Sequence, residues 1–192
     1  MPRFVKVILS LLLLLVIVGG PLLYSSQREA YLRNFHVVKQ GVLYRSGQLS
    51  LPGLKRILHD HGIKTIVTLR GPYGDDDPVP DLDEENYCRK QGYFYYRLSP
   101  KPWWDDDGTS PADANVRQFV DVLRDPVHHP VLVHCFAGMH RTGAFCAVYR
   151  MEFEGWSNAR AIAEMKAMGY RNIDHEWDVR GYLESYTPRG LK

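Results

Sequence analysis

The sequence is poor in cysteine and has almost no excess of charge of either sign. Its 192 residues include three cysteines, and 24 Lys and Arg face 22 Asp and Glu, for a net charge of +2. Three cysteines cannot all pair, so we exclude a disulfide framework. A small net charge without a long basic tract gives no argument for a nucleic acid partner. We find no internal repeat and no low-complexity segment except one run of leucines.

The composition is that of a globular domain. Hydrophobic residues make up 45% of the chain and charged residues 24%, and the length allows one ordinary domain with an appendage. We predict three parts: a membrane anchor or signal segment at 1–26, a polar linker at 27–33, and one folded domain at 34–192.

The N-terminal segment contains an uncharged, largely apolar stretch from Val7 to Leu23, and Arg3 and Lys6 precede it. As a helix it would extend about 25 Å, close to the hydrocarbon core of a bilayer at about 30 Å. A cleaved signal peptide is the alternative, which would give a secreted protein, but no Ala-x-Ala site follows. We therefore predict a single-pass transmembrane helix. The side of the membrane stays open because basic residues lie on both flanks.

Hydrophobic patterns in the remaining chain alternate between strand and helix. Strands are predicted at 35–38, 42–45, 65–69, 93–98 and 130–133. Helices are predicted at 51–61, 82–91, 112–123, 142–151 and 176–185, with another beginning after Ser157. This order predicts an α/β fold with a central, mostly parallel sheet flanked by helices, and with ligand loops at the carboxyl ends of strands.

One loop between a predicted strand and a predicted helix carries the chemistry. Cys135 and Arg141 stand at its two ends, separated by five residues. Backbone N–H groups and the positive end of the following helix favour an anion there, and the same field favours the thiolate of Cys135. The planar guanidinium of Arg141 can hold two phosphoryl oxygens at once. Gly138 suits a tight turn, and Thr142 is placed to donate a hydroxyl hydrogen bond to the sulfur.

The motif formed by His134, Cys135, five residues, Arg141, Thr142 and Gly143 resembles the signature of cysteine-dependent protein tyrosine and dual-specificity phosphatases. Segments 42–49 and 62–70 resemble the start of the compact bacterial and fungal members, so the similarity extends over about residues 34–186. Rhodanese-like sulfurtransferases usually have a loop one residue shorter, and low-molecular-weight phosphatases carry theirs near the chain start.

The resemblance implies a phosphatase of this fold that acts through a phosphocysteine, without a metal or other cofactor. The loop residues expected to bind substrate are Phe136, Ala137, Gly138, Met139, His140 and Thr142. The expected substrates are phosphorylated proteins or small phosphomonoesters.

The resemblance also implies an aspartate, on a mobile loop upstream of the cysteine, that protonates the leaving group. Asp105, Asp106 and Asp107 lie in such a segment, and we choose Asp106. A solvated acidic turn is the alternative for these residues. A second acidic run at 75–77 is expected to be a surface loop.

Three loop positions bear on the substrate class. Phosphoinositide and inositol-pyrophosphate members of the resembled family typically carry lysines where this chain has Phe136, Met139 and His140. We therefore expect a phosphotyrosine or dual-specificity phosphatase. A phosphatase of non-protein substrates and a catalytically weak phosphate-binding membrane module stay open as alternatives.

Histidines and arginines near the strand ends receive structural roles. We expect His134 to hydrogen-bond the loop backbone, and Arg45 and Arg70 to pair with Glu84 or Glu85. A role in substrate binding is the alternative for the two arginines. The histidines at 128, 129 and 134 give no metal site, because neighbours in a strand point to opposite faces.

Overall fold

The computed structural model describes residues 3–22, 32–72, 77–100, 102–104 and 108–190. In this part of the chain one sheet has the strand order β1-β2-β5-β3-β4. The strands are β1 (His36–Lys39), β2 (Leu43–Ser46), β3 (Thr65–Thr68), β4 (Phe94–Arg97) and β5 (Val131–His134). β1 is antiparallel to β2, and every other neighbouring pair is parallel. The predicted mostly parallel sheet is thus confirmed.

The N-terminal segment contains α1 (Arg3–Leu14). Helices cover both faces of the sheet, and they are α2 (Leu51–His61), α3 (Leu82–Lys90), α4 (Ala112–Arg124), α5 (His140–Glu154), α6 (Asn158–Ala167) and α7 (Trp177–Ser185). Leu132 and Ile66 face a core shared with α2 and α3, whereas Val131, Val133 and Val67 face the core of α4 to α7. Alternation along each strand therefore builds two apolar layers, one on each side of the sheet.

The centre of the sheet determines where the site lies. β5 runs between β2 and β3, and the register pairs His134 with Ser46 on one side and with Thr68 on the other. The carboxyl ends of three parallel strands therefore meet beside the loop that follows His134. α5 begins directly after this loop and is buried over most of its length, which fixes the loop from its far end.

The N-terminal segment differs from what its composition predicts. Its α-helix ends at Leu14, and the hydrogen bonding widens to a π-helical turn over Leu15–Gly19. Over the residues that the structure describes, no helix is both long and apolar enough to cross a membrane. The predicted transmembrane helix is therefore unsupported. The side chains of this segment from Leu11 to Val18 are exposed.

Candidate active site

The segment from Cys135 to Arg141, hereafter the phosphate loop, leads from β5 into α5, and its last two residues begin that helix. Gly138 adopts the left-handed conformation, with φ of 75°. A Cβ atom built on Gly138 would lie 2.4 Å from the backbone nitrogen of Gly47 and 2.6 Å from the carbonyl carbon of Ser46. The loop therefore packs directly on the end of β2, and both backbone conformation and space require glycine at this position.

Cys135 lies at the base of the phosphate loop and is almost fully buried. The backbone N–H of Gly138 donates a hydrogen bond to Sγ at 3.3 Å. Burial acts to raise the pKa of the Cys135 thiol, but Thr142, the Gly138 N–H and the Arg141 charge outweigh it and lower the pKa below its usual value. The buried Thr142 hydroxyl has no hydrogen bond of ordinary geometry, so we assign more of the effect to the backbone groups.

Arg141 occupies the opposite end of the phosphate loop. Its guanidinium donates to the Leu69 carbonyl oxygen at 2.6 Å, which fixes the side chain beside the end of β3. It lines two cavities, one together with Arg70 and Asp77 and the other together with Asp178. Among the residues that the structure describes, the other N–H groups of this rigid fork have no hydrogen-bond partner, and the side chain borders both cavities.

Arg45, in β2, bonds the backbone of the phosphate loop, a role that we did not predict from the sequence. Its side chain is buried and donates to the Gly138 carbonyl oxygen at 2.7 Å. No carboxylate of the described residues forms an ion pair with Arg45, so the expected pairing with Glu84 or Glu85 is wrong. The bond turns the Gly138 carbonyl toward Arg45 while the Gly138 N–H faces the sulfur.

His134 directly precedes Cys135 and is also buried. Its Nε2 donates to Glu84 Oε1 at 2.8 Å, and the Tyr95 hydroxyl donates to the same oxygen at 3.0 Å. His134 therefore bonds a carboxylate 50 positions earlier in the chain, and not the loop backbone as we expected.

The charges of this pair stabilise each other. Burial acts to lower the pKa of His134, but the Glu84 charge and hydrogen bond raise it above its usual value. Burial acts to raise the pKa of Glu84, but His134, Tyr95 and Arg97 lower it below its usual value. Both shifts favour a buried imidazolium–carboxylate pair next to Cys135. Asp81, near this pair, forms an ion pair with Arg70 instead.

In the middle of the phosphate loop, the Phe136 side chain is exposed and the Ala137 backbone is held by a hydrogen bond. Phe136 is 53% exposed, and the guanidinium carbons of Arg33 and Arg70 lie 4.3 and 5.3 Å from its ring centre. The Ala137 carbonyl oxygen accepts a hydrogen bond of 2.6 Å from the Asn34 side chain. The segment just before β1 therefore forms part of the wall of the site.

The remaining predicted binding residues lie toward α5. Met139 is partly buried at the helix start, and the His140 ring stacks on Tyr170 with centroids 4.8 Å apart. Thr142 is fully buried. Cys135, Arg141 and all six predicted binding residues thus belong to one continuous structure, the phosphate loop and the first turn of α5.

The predicted acid cannot be placed in this way. Asp105, Asp106 and Asp107 lie outside the described residues. The preceding Trp103 is buried against Phe145 and Tyr182, which anchors the start of this segment to the catalytic side of the core. In the second acidic run, 75 and 76 also lie outside the described residues, whereas Asp77 lines a cavity with Arg141.

The family described as "DSP-PTPase phosphatase fused to NAD+ Kinase" matches residues 25–181 of this chain. The chain belongs to this family. The match covers the sheet, the phosphate loop and most of the helical layers, so family membership concerns the whole described domain rather than the loop motif alone.

Individual relatives differ in how much of this chain and of their own length the similarity covers. The dual specificity protein phosphatase TpbA of Pseudomonas aeruginosa is 38% identical over 63 residues, which are 33% of this chain and 29% of TpbA. The tyrosine-protein phosphatase-like protein OCA2 of Saccharomyces cerevisiae is 27% identical over 122 residues, 64% of this chain and 57% of OCA2. The chain thus matches less than two thirds of the length of these relatives.

Solved structures show the same fold at low identity. The core catalytic domain of the PP-IP phosphatase SIW14 from S. cerevisiae gives a TM-score of 0.61 at 20% identity, over 80% of this chain and 85% of that domain. The crystal structure of P. aeruginosa TpbA gives 0.58 at 22% identity, over 82% and 91%. The chain therefore has the protein tyrosine phosphatase-like α/β fold.

Proposed function

We propose that this DSP-PTPase hydrolyses phosphomonoesters through a phosphocysteine at Cys135. The observation that carries the proposal is the thiol itself. Cys135 is buried at the base of a loop, receives a backbone N–H from Gly138, and has a lowered pKa with Arg141 at the far end of the loop. A thiolate held in an anion-binding loop is the arrangement that nucleophilic attack on a phosphoryl group requires.

The reaction proceeds in two displacements. The thiolate attacks phosphorus, the S–P bond forms, and the bond from phosphorus to the ester oxygen breaks, while a general acid protonates the departing oxygen. Water then attacks the phosphocysteine and gives a proton to the group that acted as acid in the first step, the S–P bond breaks, and inorganic phosphate leaves with the thiolate restored. In both transition states the guanidinium of Arg141 and the N–H groups of the phosphate loop hold the equatorial oxygens.

The decisive test is turnover of a generic aryl phosphate by the full chain. We expect hydrolysis that a metal chelator leaves intact, that vanadate inhibits, and that the Cys135→Ser variant lacks. Trapping of phosphate on Cys135 in a quenched reaction, located by mass spectrometry, identifies the intermediate. Activity retained in Cys135→Ser would exclude this mechanism.

We propose Asp106 as the general acid. It follows the anchored Trp103 closely in the chain, and hydrolysis of a poor leaving group needs a proton donor. Asp106→Ala should lower turnover by about 10²- to 10⁴-fold for alkyl phosphates and spare substrates whose leaving group needs no proton. If Asp105→Ala or Asp107→Ala shows this dependence instead, the acid is that neighbour.

We propose phosphotyrosine, or phosphotyrosine with phosphoserine and phosphothreonine, as the substrate class. The similarity to TpbA and OCA2 and the lack of lysine in the phosphate loop support this choice. Phosphates of inositol are the second candidate, supported by Arabidopsis thaliana inositol diphosphatase DSP3, 26% identical over 163 residues, 83% of this chain. Rates on phosphopeptides and on inositol phosphates, compared with Cys135→Ser as a blank, separate the two.

We also propose that the N-terminal segment attaches the chain to a membrane. The exposed apolar side chains between Leu11 and Val18 support this, because such a continuous patch is unfavourable in water. The full chain should sediment with lipid vesicles, and a variant lacking residues 1–26 should stay in the supernatant. Equal sedimentation of the two would place the attachment elsewhere.

A further inference from the structure

Beyond the catalytic groups, the entrance of the site carries two guanidinium groups that come from outside the phosphate loop. Phe136 follows the nucleophile directly, and its exposed ring lies between Arg33 and Arg70. We refer to these three residues as the mouth. The loop sequence alone indicated an entrance without extra positive charge, whereas the fold supplies that charge from the segment before β1 and from the end of β3.

The two arginines differ in how their charges are balanced. Arg70 forms an ion pair with Asp81, whose side chain is almost completely buried, so part of its charge is neutralised. Arg33 forms no ion pair or hydrogen bond through its guanidinium with any residue that the structure describes, although its side chain is half-buried. Its N–H donors therefore remain available at the entrance, with one face of the group covered by the Phe136 ring.

Arg33 is also held in position by its neighbours. Its carbonyl oxygen accepts from the Gly47 N–H at 2.7 Å, and the adjacent Asn34 side chain bonds the Ala137 carbonyl oxygen. A Cβ atom on Gly47 would lie 2.9 Å from Arg33 Cγ, so the close approach depends on glycine there. A cation fixed in this way loses little conformational entropy when an anion binds.

We propose that Arg33 is the main determinant of a subsite for a second anionic group on the substrate, next to the phosphoryl group bound by the phosphate loop. This inference rests on the proposed phosphatase function of the same site and extends it. The second group is a carboxylate or a phosphate, and it comes either from an acidic residue flanking the phosphorylated residue of a protein or from the small phosphomonoester itself.

The test measures binding to the full chain with Cys135→Ser, so that its outcome does not depend on turnover. One arm uses two phosphotyrosine peptides that differ only in having glutamate or glutamine on both sides of the phosphotyrosine. The other arm uses carboxyphenyl phosphate against carbamoylphenyl phosphate, measured by competition with the labelled peptide. Within each pair, the two ligands differ in charge and are nearly equal in size.

We expect the charged member of at least one pair to bind about three- to tenfold more tightly, and this preference to weaken as salt is raised. Arg33→Gln should abolish the preference, and Arg33→Lys should retain most of it. Arg56→Gln is the matched control for net charge, since Arg56 pairs with Asp60 within α2, and it should change nothing. Preference in the peptide arm alone assigns the anion to a protein substrate, and preference in the phenyl phosphate arm assigns it to small substrates.

No preference in either arm, or a preference that survives Arg33→Gln, would overturn the proposal. Failure of the phosphatase function is a separate result. It would appear as absent turnover by the wild-type chain, while the binding comparison still decides whether Arg33 recognises a second anion.

Discussion

The charged side chains beneath the phosphate loop are buried and hydrogen-bonded. Those at the mouth are partly exposed, and ion pairs neutralise only part of their charge. Arg45, His134 and Cys135, which we call the floor, each bond to a group that the fold brings to them. At the mouth, Phe136 is 53% exposed and contacts the guanidinium groups of Arg33 and Arg70, and Arg33 is only partly buried. Electrostatic interactions are strong where water is excluded and weak where it is not. Substitutions at the floor should therefore change chemistry, and those at the mouth should change selectivity.

Among the arginines around the site, Arg141 should give the largest effect when it is changed to lysine, because we propose that it holds the transferring phosphoryl oxygens. Lysine keeps the charge but loses the planar fork, so we predict a fall in kcat of about 10²- to 10³-fold on an aryl phosphate. Steady-state kinetics and circular dichroism on the same preparation give the measurement and its folding control. A fall below about tenfold, or about 1.4 kcal/mol, would show that Arg141 does not act on the transition state.

Arg45→Met should give the next largest effect and tests whether the floor shapes the loop. Loss of the bond to the Gly138 carbonyl lets the backbone on both sides of Gly138 reorient, which weakens the hydrogen bond from the Gly138 N–H to the Cys135 sulfur. We predict a higher thiol pKa and a rate about tenfold lower or more at neutral pH, with partial recovery at higher pH. Alkylation of Cys135 as a function of pH measures that pKa. An unchanged alkylation profile would reduce Arg45 to a packing role.

Glu84→Gln breaks the buried pair with His134, and its effect on stability should depend on pH. The folded-state pKa of His134 is raised above 6.5, so the stability that the pair contributes is present below 6.5 and is lost as pH rises through the folded-state value. For Glu84 the folded-state pKa is lowered below 4.5, so its contribution is present above 4.5 and is lost as pH falls through the folded-state value.

We therefore predict that Glu84→Gln lowers the free energy of unfolding by about 1–3 kcal/mol at about pH 5.5, and by less at about pH 8.5. Urea unfolding at both pH values measures the difference. Glu85→Gln is the matched control, because Glu85 bonds the more exposed Arg89 and Arg97 rather than a histidine. A loss of stability that is equal at both pH values would mean that His134 is neutral in the folded protein.

A feature could be predicted from the sequence where the residues that determine it lie within or next to it in the chain. α2 is found at its predicted bounds because Ser50 caps its start and Gly62 ends it in the left-handed conformation, both within a few residues of the helix. The phosphate loop was recognisable for the same reason, since Cys135 and Arg141 lie in one short motif. Both signals are contained in the segment that they describe.

The partners of that loop were not predictable because they come from distant parts of the chain. Asn34 and Ala137 are 103 positions apart, and Arg45 and Gly138 are 93 apart. No periodicity or spacing relates such residues, and only the register of β2 with β5 brings them together. The position of Arg45 at the end of a predicted strand was the one signal for its contact with the loop, and that position is equally typical of an ordinary surface ion pair.

The smallest effect should come from the mouth, where Phe136→Leu removes the ring between the two arginines but keeps an apolar side chain. Because Phe136 is 53% exposed and contributes only its backbone to the loop, we expect kcat on a small neutral aryl phosphate to change less than about threefold. The contact with Arg33 is a partly exposed cation–π interaction of about 0.5–1 kcal/mol, so its loss should loosen Arg33 and weaken selection for a second anion without abolishing it. Kinetics on the neutral substrate and binding of the two phosphopeptides measure these effects separately. A large fall in kcat on the neutral substrate would mean that the ring contributes to catalysis. Phe136 would then belong with the floor rather than with the mouth.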